Sequence, residues 1–79
     1  MPSNASFQPN TPVHVVVWAG TTIAPTVTAH GPWMAGDEVA EFVRLIPGAY
    51  QYECFRDRTE AQNLARSEQA AASLYFGVA

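Results

Sequence analysis

The chain has 79 residues, room for one domain, with 48% hydrophobic but only 14% charged residues and a net charge of −3. Seven carboxylates stand against four arginines and no lysine, which argues against nucleic-acid binding by phosphate neutralisation. The longest apolar run, residues 15–20, is far short of the roughly 20 residues of a membrane span, and a lone cysteine, Cys54, excludes an internal disulfide and fits a reducing compartment.

Residues 1–12 hold three prolines and small polar side chains, with Phe7 the one large apolar group. They read as an irregular lead-in, pinned by Phe7, ahead of a single domain over 13–79. Residues 13–18 are β-branched or aromatic everywhere except His14, and so predict a strand. Val13, Val15 and Val17 share one face; His14, Val16 and Trp18 share the other. With both faces largely apolar, this strand is expected at the centre or covered on both sides.

Ala19-Gly20-Thr21 predicts a turn and residues 22–29 a second strand, paired with the first as a hairpin. Pro25 cannot donate to a ladder, which places that strand at an edge. The glycines and proline of residues 30–36 read as a loop. A helix follows, N-capped by Gly36 or Asp37, with Val39, Phe42, Val43 and Ile46 in one apolar stripe. Asp37 and Glu38 suit its positive end, Glu41 and Arg44 are spaced to pair, and Pro47-Gly48 stops it.

Ala49–Phe55 alternates as a third strand, with Tyr50, Tyr52 and Cys54 on one face and Gln51, Glu53 and Phe55 on the other. Asp57 and Glu60 form a variant capping box that opens a second helix, Arg58–Phe76. Its expected buried stripe is Ala61, Leu64, Ala65, Ala71 or Ala72, and Tyr75. The order ββαβα predicts an α+β fold with a three-stranded antiparallel or mixed sheet, ordered 2-1-3, and allows both helices on one face.

Catalytic chemistry finds little foothold. His14, His30 and Cys54 lack the short paired spacing of zinc sites, and no phosphate-binding glycine pattern occurs. Cys54 with His14 or His30 is the one formal nucleophile and base pair, yet an isolated strand cysteine is usually a small core hydrophobe. Arg56, Arg58 and Arg66 stand close to Asp57 and Glu60, which predicts a mutual salt-bridge cluster. The reading is of a non-enzymatic protein with no cofactor and no metal.

Binding fits better. A typical soluble domain is about 25% charged, and a small domain has more surface per volume, not less. At 14% charge, apolar surface must remain outside, and such surface marks interaction sites. A core of this size supplies only about 3–5 kcal/mol, so a partner or self-association is expected. Trp33 and Met34, residue types enriched at interfaces, form one candidate surface, with closure of the core by Trp33 as its alternative. The acidic strip Asp37, Glu38 and Glu41, with Glu53 nearby, forms the other and would meet basic groups of a partner.

In short length, mild acidity, ββαβα order and absence of a catalytic set, the chain resembles the small anti-CRISPR proteins of phages and other mobile elements. That resemblance implies a stoichiometric inhibitor, in the cytoplasm of a host cell, that blocks a host defence or nucleic-acid-processing complex such as a CRISPR effector. The partner-binding residues would be Trp33, Met34, Asp37, Glu38, Glu41 and Glu53. The alternative is a structural or assembly subunit of a phage particle or multiprotein complex, working as a homo-oligomer.

Overall fold

β-branched side chains favour the pleated ladder, and the run from Val13 to Val17 forms the core of the central strand. The computed structural model describes residues 7–76. β1 (Pro12–Gly20) lies between β2 (Pro25–Met34) and β3 (Ala49–Phe55), antiparallel to both, in the order β2-β1-β3. α1 (Asp37–Arg44) connects β2 to β3, and α2 (Arg58–Phe76) follows β3. The domain is therefore an α+β fold of order ββαβα.

The two helices lie on opposite faces of the sheet, not on one. Val13, Val15, Val17 and Cys54 cluster with Ala35 and Val39, and with the half-buried Phe42, Val43 and Ile46, on the α1 side. Val16, Trp18, Val27 and Phe55 cluster with Ala61 and Ala65 on the α2 side. Val13, Val15, Val16 and Val17 have no exposed surface, each burial contributing about 1.5–3 kcal/mol. A strand apolar on both faces needs a layer on each side, and two helices crowded onto one face would leave half of β1 wet. Small residues on α2 let its backbone approach the sheet.

β2 differs most from expectation. It starts at Pro25 rather than residue 22, because residues 21–24 make the turn, held by the Ala24 N–H donating to Thr21 Oγ1 at 3.0 Å. It then continues through His30–Gly31–Pro32 to Met34, where a loop was expected. Proline is tolerated because β2 is an edge strand with no outer ladder to feed. The register passes from Val13↔Trp33 to Val15↔His30, so β2 carries one extra residue there, a β-bulge. The Gly31–Pro32 peptide within it is cis.

The remaining elements follow local chemistry. Gly36 caps α1 with φ 105°, and the Glu41–Arg44 pair forms at 2.6 Å on its solvent face. Phe7 packs on the α1-side core. Backbone bonds from the Asn10 N–H to the Ala35 carbonyl (3.1 Å) and from the Ala35 N–H to the Thr11 carbonyl (2.9 Å) fasten the lead-in. The Thr59 N–H donates to Asp57 Oδ1 at 3.0 Å and opens α2.

α2 buries Ala61 and Ala65, but its expected stripe does not continue: Ala71 is exposed, Ala72 half-buried and Leu74 75% exposed. The side chain of Tyr75 lies outside the described residues. The start of α2 faces Gly31 and Gln69 reaches Pro25 and Val27, so α2 runs toward the β1–β2 turn. By Gln69 it has reached the first residue of β2, and the last turns overhang the sheet.

Candidate interaction surface

In a regular strand, residues 30 and 33 point to opposite faces. The extra residue of the β2 bulge removes that alternation, and His30 and Trp33 both meet α1. The Trp33 ring stacks on Phe42 with centroids 4.7 Å apart, and the His30 ring meets the same Phe42 edge-on at 4.9 Å. Gly31 makes this possible. Its φ is 134°, and a Cβ there would lie 2.9 Å from the Val13 carbonyl oxygen and 3.1 Å from His14 Cα, which only glycine avoids.

The aromatic stack forms one wall of a recess of about 280 Å³ lined by Trp33, Phe42, Leu45, Glu38 and Glu41. Its floor is apolar, Leu45 is 71% exposed at the rim, and the two glutamates flank it one helical turn apart. A second hollow of about 300 Å³, lined by Pro9, Asn10, Met34, Gly36, Asp37 and Glu38, adjoins it through Glu38. Trp33, Met34, Asp37, Glu38 and Glu41 thus gather on one side of the molecule. Trp33 divides between the two expected roles. It is half-buried against the core and also lines the recess.

Glu53 is not part of this group. It pairs with Val16, whose side chain faces α2, and its exposure is only 9%. Period-two alternation puts it across the sheet from Asp37, Glu38 and Glu41. Among the described residues its carboxylate has no hydrogen-bond or ion-pair partner. Leu45 and Phe42 are the recess residues that the sequence reading did not single out. The signal for Leu45 was available, since it falls outside the apolar stripe of α1 yet carries a large apolar side chain.

The remaining candidates are separated. His14 and Cys54 point to opposite faces, because His14 pairs with Phe55 and Cys54 with Val15. His30 shares the Cys54 face, but Val15 stands between them, leaving two strand spacings, about 9.5 Å. Cys54 is fully buried and desolvation pushes its thiol up to about 11. The thiolate is the reactive form, so native-state alkylation of Cys54 is expected to be slow and to speed up sharply in denaturant. A rapid native reaction, followed by thiol titration, would contradict this burial.

Among the described residues His30 makes no bond to Asp37. His30 Nε2 bonds Thr28 Oγ1 at 2.7 Å, and burial lowers the His30 pKa. Nor do Arg56, Asp57, Arg58 and Glu60 form an ion pair; among the described residues the one found is Arg44–Glu41. His14 and Arg58 instead line a small hollow of about 160 Å³ with Gln62. Among the described residues no three His, Cys, Asp or Glu side chains gather as a metal group, and no helix is long and apolar enough to cross a membrane. No protein-family model, curated protein or solved structure matches the chain.

Proposed function

We propose that the protein acts as a non-enzymatic, stoichiometric inhibitor of a host nucleic-acid-processing or defence complex, and that it engages this partner through the recess beside α1. The observation that carries the reading is the apolar floor of Trp33, Phe42 and Leu45, bordered by the side chains of Glu38 and Glu41, the latter paired with Arg44. An apolar anchor with a basic residue beside it fits that arrangement: the anchor fills the recess while Arg or Lys meets Glu38 and competes with Arg44 for Glu41. Nucleic-acid-processing complexes are rich in such basic surfaces, because they must neutralise phosphates. The format shared with anti-CRISPR proteins supports the same reading, with the cytoplasm of a host cell as the place of action.

The test is a stoichiometric complex recovered from host lysate and re-formed from purified parts, measured with the wild type and with Glu38→Arg/Glu41→Arg. Both glutamates are exposed on α1, so the variant is expected to fold. Its affinity should fall at least ten-fold, and the wild-type complex should weaken with salt. A folded double variant that binds the complex with unchanged affinity would reject this surface as the contact.

A further inference from the structure

A three-stranded sheet has two edges, and this one treats them differently. Along β2, Pro25 and Pro32 remove backbone donors. Gln69 of α2 reaches over the same edge: its Oε1 accepts from the Val27 N–H at 2.8 Å, and its Nε2 donates to the Pro25 carbonyl at 3.4 Å. These are the devices by which an edge is closed to further strands. β3 has no proline, and among the described residues no side chain bonds its outer backbone. α2 lies chiefly over β2 and β1, and α1 touches β3 little. Among the described residues the β3 edge is open.

We propose that a second copy of this chain occupies it, β3 pairing antiparallel with β3 to give a continuous six-stranded sheet. The proposal is independent of the recess, which lies beside β2. A two-fold axis that pairs a strand with itself must stand perpendicular to the sheet, so each residue faces one of equal parity and the centre falls on a residue. Centring on Glu53 sets two carboxylates directly opposite, which is unfavourable. Centring on Gln51 draws the bulge at Tyr50, where the register jumps from Trp18↔Gln51 to Ala19↔Ala49, into the middle of the ladder. Centring on Cys54 sets Glu53 against Phe55.

Centring on Tyr52 avoids both unfavourable pairings of Glu53 and moves the bulge off the centre of the ladder. Gln51 of each copy then faces Glu53 of the other, and a carboxamide meets the carboxylate that has no partner among the described residues. Glu53 is only 9% exposed and lies on the edge strand, where a neighbouring strand can reach its carboxylate. The two copies of Tyr52, which pairs with Val17, come together on the α1 side of the sheet. The low charge of the chain, 14%, is in keeping with a surface that another copy covers.

The test is the molar mass of the wild type by sedimentation equilibrium from low micromolar to millimolar concentration, alongside two variants at the exposed Gln51. The wild type is expected to dimerise. Gln51→Glu places like charges across both symmetric pairs and should weaken the dimer about ten-fold; Gln51→Lys should tighten it by a similar factor. Both variants leave the buried core untouched, and circular dichroism checks their folding. As a register test, Tyr52→Cys in a Cys54→Ser background should form an intermolecular disulfide under mild oxidation, and Gln51→Cys in the same background should not. A wild type that stays monomeric throughout would overturn the proposal and leave Glu53 as an inward charge that guards the edge. A dimer indifferent to both Gln51 variants would overturn it equally.

Discussion

Gly31→Ala is expected to lower the stability of the folded domain by about 3 kcal/mol, the upper range for a side chain forced into a forbidden backbone conformation. Two causes add. The φ of 134° is one that residues with a Cβ rarely adopt, and the added carbon would sit 2.9 Å from the Val13 carbonyl oxygen and 3.1 Å from His14 Cα. Both neighbours are backbone of the central strand, so neither can turn away. A core that supplies only about 3–5 kcal/mol leaves little reserve, and the alanine variant should be partly unfolded at room temperature. Urea titration followed by circular dichroism measures this. An unchanged midpoint would mean that the bulge relaxes into another register. Gly20→Ala separates the two causes, since its φ of 92° is strained as well but its Cβ would meet nothing closer than 3.8 Å.

Trp33→Ala is expected to cost about 2–3 kcal/mol of stability and, in the same variant, most of the affinity for the proposed partner. A fully buried tryptophan cut to alanine loses about 3–5 kcal/mol. Trp33 is half-buried, but its stack on Phe42 adds to what is lost. Its Nε1–H is fully buried without a hydrogen-bond partner, a standing cost of about 1–3 kcal/mol that removal of the ring relieves in part. Leu45→Ala separates the two roles. Leu45 is 71% exposed, so its truncation should leave the urea midpoint nearly unchanged and lower affinity alone. Equal losses of stability in the two variants would show that Leu45 packs as firmly as Trp33.

Most of the fold was legible because its signals were local. The alternation from Ala49 to Phe55 gave β3 its bounds, and Asp57 with Glu60 gave the start of α2. The order 2-1-3 followed from a hairpin and a crossover. The expected end of β2 at residue 29 falls short because Gly31 and Pro32 break regular structure in most settings, and nothing in the sequence says that they form a bulge on an edge strand. The side taken by each helix was half-legible. The apolar character of both faces of β1 called for cover on both, while connectivity alone permitted one.

The candidate surface was legible in parts. Asp37, Glu38 and Glu41 declare themselves on one short helix, and Trp33 and Met34 precede them in sequence. The misplaced member was Glu53, which was assigned by charge although its alternation with Phe55 placed it on the other face. The recess could not be read at all. It depends on His30 and Trp33 sharing a side, and that is a consequence of one inserted residue rather than of any residue type.

Gln69 ties two segments that lie more than 40 residues apart in the chain, and in doing so it makes one amide into a gauge of helix docking. The Val27 N–H lies on the outer edge of the sheet, where water would otherwise exchange its proton freely. It is shielded only while α2 is seated and Gln69 is in reach. Its exchange with deuterium therefore reports how often α2 lifts from the sheet, separately from global unfolding, whose rate the amides of β1 record.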